Sequence, residues 1–328
     1  MLNSAKPRLM TRWMRRVAAP LVILTALAAS LAPAATAAPS HHRDRVIVHR
    51  DRVIVLPGAK SAEGIANGRG ATFYAGELFT GDIFRGNIRL GTAKKFIDAP
   101  EGRNALGMVF DRRHDLLFVA GGATGQGYIY DTRSRTTVAS YQFGVAGASL
   151  INDVTLTDRG AWFTDSAKPQ LYFVPLSKKG KPGATFKTLQ LSGPAADLTG
   201  PFNLNGIRAA HHGRILIVAH TANAALYTVN PKTGASAAIA GVSVPNVDGL
   251  VLAGKKLWAV QNASDQITRI RLNKHVTAGT VTKVITSKNF ESPTTAAKFG
   301  NTLAVVQAKF DTGFPPTAHT YEVVLVRA

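Results

Sequence analysis

Four hard-oxygen side chains head a recurring pattern in this sequence: Glu63 in "AEGIA", Asn152 in "IND", Asn205 in "LNGI" and Asp248 in "VDGL". Two carboxylates and two amides converging on one point offer oxygen ligands alone. That set suits Ca²⁺ first, with Mg²⁺ or Mn²⁺ as alternatives, and does not suit zinc. Two negative charges balance one divalent cation, and water fills the rest of its shell. Taken singly, an Asn or Asp before Gly is an ordinary turn residue. Four in phase on one face make a candidate metal group of Glu63, Asn152, Asn205 and Asp248. A cation held there would polarise a carbonyl and stabilise its oxyanion while a side-chain base activates water.

Residues so far apart in the chain meet only if a repeat brings them together. No stretch after residue 40 sustains a 3.6-residue apolar period; short strands alternate with Gly, Asp, Asn and Lys-Gly turns. The repeats begin at Glu63, Leu106, Asn152, Asn205, Asp248 and Thr294, with gaps of 43, 46, 53, 43 and 46 residues. Six units of this length, each worth about four strands, predict an all-β fold, a six-bladed β-propeller. A long sandwich or two small barrels would leave the period unexplained. In a four-stranded blade the innermost strand starts on the face where blades are joined, so all six starts point at one central mouth.

By strand parity the second strand of each blade climbs back to that mouth. The residues at its end, Glu77, Asp165-Ser166, His220, Gln261-Asn262 and Gln307, then rim the site. Asp165 and Gln261 join Asn152 as expected substrate-binding residues, and His220 is a candidate base. His211-His212 fall in the opposite turn and read as plain turn residues, while Trp162 and Trp258 read as core. No Gly-Xaa-Ser-Xaa-Gly elbow, phosphate loop or copper–zinc histidine cluster is present.

The ring needs an end. "HTYEVVLVRA" supplies a third strand to the last repeat and leaves no room for a fourth. An unpaired edge invites aggregation, so another segment must cover it. The heptad "HRDRVIV" occurs twice, at 42–48 and 49–55. Two copies are too few for a coiled coil, and Val-Ile-Val favours a strand. The second copy, "DRVIVLP" at 51–57, is expected to close the last blade from the N-terminal side, and the first copy is a spacer.

Ahead of it, Lys6, Arg8, Arg12, Arg15 and Arg16 precede the apolar run "VAAPLVILTALAASLA" and the stretch "AATAAPS". This is the pattern of a secretory signal peptide over 1–37, cut after Ala37, followed by a basic spacer over 38–50 and a propeller over 51–328. An uncleaved anchor is the alternative, but the run is short and contains Pro20. Of 328 residues, 39 are Lys or Arg and 19 Asp or Glu, giving +20, or +15 once the five cations of 1–37 are removed. A basic, secreted, extracellular chain is expected to adhere to anionic cell-surface polymers. The cations are scattered and form no reading motif, which argues against specific nucleic-acid binding. The absence of cysteine excludes disulfides and thiol chemistry.

The four motifs, in this order and spacing over about residues 60 to 310, resemble the senescence-marker-protein, gluconolactonase and luciferin-regenerating-enzyme family. The resemblance implies a six-bladed propeller with one divalent cation on Glu63, Asn205 and Asp248, and Asn152 near metal and substrate. It implies Asp248 as the base and hydrolysis of lactones or related esters. Paraoxonase-like and strictosidine-synthase-like propellers share the architecture. The expected function is therefore a secreted metal-dependent hydrolase of a lactone or ester. The rival reading is a non-catalytic extracellular propeller binding a ligand or anionic cell-wall polymer across the same face; apolar Leu106 and plain Thr294 at two mouth positions favour it. A third is a structural protein with a stabilising ion.

Overall fold

The computed structural model describes residues 51–328. The expected signal segment and spacer, 1–50, lie outside them. Short β-branched and aromatic runs between Gly-rich turns fold into six antiparallel sheets of four strands, each strand hydrogen-bonded to its sequence neighbour. The chain is a six-bladed β-propeller. The innermost strands are Ala62–Asn67, Met108–Asp111, Ile151–Thr157, Leu204–Ala210, Val247–Ala253 and Pro293–Phe299. No helix of the described residues is long and apolar enough to cross a membrane.

The closing strand is where the sequence places it. Arg52–Val55 pairs antiparallel with Glu322–Arg327, in register from Arg52 opposite Leu325 to Val55 opposite Glu322. Ile54 and Leu56 are almost fully buried and join Phe73, Tyr321 and Val323 in the seam between the last and first blades. Each of the other five blade-to-blade interfaces holds its own apolar cluster, such as Tyr74 with Met108 and Phe118 with Phe163. Packing between blades, and not one central core, stabilises the ring.

The feature that positions the site is a bulge. In five blades the register between the first two strands slips by one residue at the same place. Two residues of the inner strand, Glu63-Gly64, Asn152-Asp153, Asn205-Gly206, Asp248-Gly249 and Thr294-Thr295, there face a single residue of the second strand. A bulge bends the strand and re-aims a side chain. Here it re-aims the first residue of each pair.

The glycine in these pairs supplies space and not a turn. A Cβ on Gly64 would lie 1.9 Å from the carbonyl oxygen of Leu106, and one on Gly206 would lie 2.5 Å from that of Asp248. Neither glycine has a positive φ. The inner strands approach so closely at the axis that only hydrogen fits between them. Asn205-Gly206 and Asp248-Gly249 both lie in strands, and not in the turns that such pairs commonly form.

Candidate functional site

The structure brings Glu63, Asn152, Asn205 and Asp248 to the bulges around one end of the axis, each buried to between 4% and 7% exposure. In three consecutive blades a polar residue just past the second strand props the mouth residue of its own blade. Asn152 donates its amide to Ser166 Oγ at 3.0 Å, and Asn205 donates to Thr221 Oγ1 at 3.1 Å. The two hydroxyls in turn donate to the carbonyls of Leu204 and Val247 in the next blade. With their N–H groups engaged, both amides are left with oxygens to present. Asn262 Nδ2 donates to Asp248 Oδ2 at 2.9 Å. The corresponding residues elsewhere are Leu78, Gly122 and Ala308. The mouth is thus propped by polar groups on one side and is apolar on the other.

Two oxygens at this point are buried with no hydrogen-bond partner, Glu63 Oε2 and Asn205 Oδ1. Burial pushes the Glu63 carboxyl well above the usual carboxylate range, and the charges of Asp248 and Asp153 push it further. Burial likewise lifts Asp248 to about 7, opposed by the amides of Asn262 and Asn205 and assisted by the Asp153 charge. Unsatisfied buried acceptors of this kind are costly unless something electropositive meets them.

Asp153 was not anticipated as a site residue. It occupies the second position of its bulge pair, which is glycine in three other bulged blades and, as Gly107, in the unbulged second blade. There its Oδ2 pairs with Arg208 Nη1 at 2.7 Å and accepts the Ile207 N–H at 3.1 Å. Its Oδ1 accepts the Val154 N–H. Asp153 therefore ties the third blade to the fourth, with both of its carboxylate oxygens engaged. Among the described residues no three His, Cys, Asp or Glu side chains form a metal cage. The donor set that fits a hard divalent cation is Glu63, Asp248 and the oxygens of Asn205 and Asn152. The two carboxylates supply the charge.

Asp165, Gln261 and His220 stand elsewhere. Each ends a second strand opposite the residue before the bulge: Asp165 faces Ile151, His220 faces Leu204 and Gln261 faces Val247. Each is buried and latches the connection leading into its own blade. Asp165 Oδ1 accepts the Leu150 N–H at 2.9 Å, Gln261 Nε2 donates to the Pro245 carbonyl at 2.8 Å, and Gln307 and Glu77 make equivalent bonds to Glu291 and Ser61. His220 Nε2 donates to the Asp197 carbonyl at 2.9 Å, and Nδ1 accepts the Asn223 N–H at 3.2 Å. Both ring nitrogens are engaged and the side chain is fully buried. These bonds give Asp165, Gln261 and His220 a structural role in the frame of the mouth.

His220→Ala should accordingly lower stability by about 1–3 kcal/mol, the cost of losing two hydrogen bonds to part-buried backbone groups. Turnover per folded molecule should stay within about twofold of the parent. Denaturant melts paired with activity measurements separate the two effects. A stable variant that has lost its turnover would return His220 to the chemistry.

No family model matches the sequence, and no curated protein matches it. Solved structures do. The major allergen Mala s 1 of Malassezia sympodialis aligns with a TM-score of 0.61 at 15% identity, over 84% of this chain and 96% of that one. The Cps50 (Swd1) β-propeller domain of Myceliophteria thermophila aligns with a TM-score of 0.59 at 10% identity, covering 85% and 100%. A catalytically inactive virginiamycin B lyase of Staphylococcus aureus with Quinupristin aligns with a TM-score of 0.56 at 11% identity, covering 84% and 99%. The likeness is one of fold. The narrower resemblance carried by the four motifs finds no matching family model.

Proposed function

We propose that the protein is a divalent-cation-dependent hydrolase of lactones or related esters, secreted and acting at the propeller mouth. The observation that carries this reading is the pair of unpartnered buried acceptors, Glu63 Oε2 and Asn205 Oδ1, beside Asp248. Glu63, Asn205 and Asp248 would hold a divalent cation, which would supply positive charge for the carbonyl oxygen of a substrate. Asp248, fixed by Asn262, is the general base placed to take a proton from the attacking water. Asn152, fixed by Ser166, turns its oxygen toward the same space and orients the substrate. Thr221 sets the Asn205 amide. Water supplies the nucleophile, and the alkoxide released from the ester takes the proton that Asp248 removed.

The connections on the mouth face carry exposed Phe79, Val145, Leu198, Phe202 and Phe314, with the rings of Phe79 and Phe314 5.6 Å apart. Apolar groups around a polar floor favour a substrate with an apolar body and one polar reacting group. The lyase structure with Quinupristin gives a precedent for a small molecule on this fold.

Asp248→Asn should retain the fold and lose at least roughly 10²–10⁴-fold in kcat on apolar lactones and aryl esters, the usual contribution of a general base, because it removes a base and a ligand charge together. Turnover should also require added Ca²⁺, Mg²⁺ or Mn²⁺ after chelation. Tight cation binding with no hydrolysis across such a panel would replace this reading with a non-catalytic ligand-binding one.

A further inference from the structure

The two faces of the ring differ sharply in charge. Turns joining the first to the second and the third to the fourth strand of a blade lie away from the mouth; all other connections lie on the mouth face. The eleven turns of the distal face hold fourteen Lys or Arg against two Asp, Asp115 and Asp158. The twelve connections of the mouth face hold five Lys or Arg against seven Asp or Glu. Cations that look scattered along the chain are gathered on one side by the alternation of strand direction. Ion pairs among the described residues neutralise little of this, since Arg69 and Arg133 share Asp115 and the other turn Lys and Arg make none.

Two adjoining clefts of about 600 and 580 Å³ cross this face over the second, third and fourth blades and share Thr157, His212 and Gly213. Arg159, Lys187, Arg214 and Lys232 line the first, which has no carboxylate. Arg113 and Lys178 line the second beside Asp111 and Asp158. All six cations are exposed.

We propose that the distal face docks a linear phosphodiester polymer without bases, of the poly(glycerol phosphate) type, laid along the joined clefts. A trough of successive cations matches a ligand whose charges repeat, and the Arg forks match phosphate oxygens. A lipid surface needs apolar side chains to insert, and Leu90 is the one exposed large hydrophobic in these turns. A nucleic acid strand needs exposed rings for its bases to stack on. In the first cleft Trp162 is buried and Phe173 half-buried, their rings packed on each other at 4.6 Å, and the exposed aromatics, Phe79, Phe202 and Phe314, all stand on the mouth face. A hydrated polyol phosphate needs neither. An anionic polymer across the mouth, as the sequence suggested, would instead meet an excess of carboxylates. This docking is independent of any chemistry at the mouth.

The test uses the full chain with poly(glycerol phosphate), a single-stranded oligonucleotide of equal charge and phosphatidylglycerol vesicles, each titrated against salt. The polymer is expected to bind tightest. The triple variant R159E/R214E/K232E should weaken it tenfold or more at about 50 mM salt and reduce the salt slope by about two, for three lost phosphate contacts. K60E/K168E/K288E makes the same charge change at exposed positions of the mouth face and should shift binding less than twofold, with thermal melts confirming both folds. Equal weakening by the two variants, tighter binding of oligonucleotide or vesicles, or no binding of the polymer would each overturn the proposal.

Discussion

At pH 8, Ca²⁺ added to the chelated protein raises its melting temperature by roughly 5–10 °C, and at pH 5 the same addition raises it little. The upper value follows from about 2.7 kcal/mol at a hundredfold excess over Kd and a few degrees per kcal/mol for a domain of this size. The pH dependence follows from the sign of the carboxylate shifts. Glu63 and Asp248 both bind protons more tightly folded than unfolded, Asp248 with a folded value of about 7. Their contribution to the metal-free protein is therefore full below the ordinary carboxylate range; that of Asp248 is lost as pH rises through about 7, and that of Glu63 as pH rises through its own raised folded value. A cation needs both carboxylates deprotonated, so its stabilising effect grows over the same interval. Two variants sharpen the expectation. Glu63→Gln and Asp248→Asn should abolish the Ca²⁺ response, and each should raise the melting temperature of the chelated protein at pH 8 by removing an uncompensated buried charge. Variants that respond to Ca²⁺ like the parent would show that the mouth does not hold the ion.

Removing the closing strand should cost more. A chain beginning at Asp51 is expected to melt with the full chain, while one beginning at Gly58 should lose on the order of 5 kcal/mol and aggregate. Ile54 and Leu56 are both 1% exposed in the seam, and burial of such side chains is worth about 1.5–3 kcal/mol each. The same truncation bares the edge of Glu322–Arg327, whose Val323, Val324, Leu325 and Val326 are continuous apolar residues, and leaves the backbone on that side unpaired. Fusing the first heptad copy, 42–48, directly ahead of Leu56 should restore most of the loss, because it carries the same seven residues. Equal stability and solubility of the two truncations, measured by denaturant melts and sedimentation, would show that the strand contributes no closure energy.

The period of the repeats revealed the ring because each blade is a complete unit that buries its sides only against the next. The closing strand was legible for a related reason: a last blade one strand short has to find it somewhere. Glu63, Asn152, Asn205 and Asp248 were legible as a set because they occupy one register position. Ser166 and Asn262 were legible on the rim with them and Thr221 was not; which of two adjacent residues stands beside the mouth residue is set by the bulge, which inserts a residue into a ladder that parity counting takes as regular. That single insertion puts Asp165, His220 and Gln261 opposite the residue before the mouth residue, and puts Ser166, Thr221 and Asn262 beside the mouth residue itself. Asp153 escaped notice because its position is glycine in four blades, and only the packing of inner strands shows that a carboxylate there must turn toward Arg208.

The alternation of latch and prop has a consequence for how such a ring can change. Glu77, Asp165, His220, Gln261 and Gln307 hold the frame, while the adjacent Ser166, Thr221 and Asn262 prop the mouth residue of their own blade. Stability and reactivity therefore sit on different letters of the sequence, one apart and on opposite sides of the strand. Each blade behaves as a socket whose fitting can be exchanged without disturbing its mount. Leu106 and Thr294 are two sockets whose fittings are plain, and the same scaffold has room to become more reactive or less so one blade at a time.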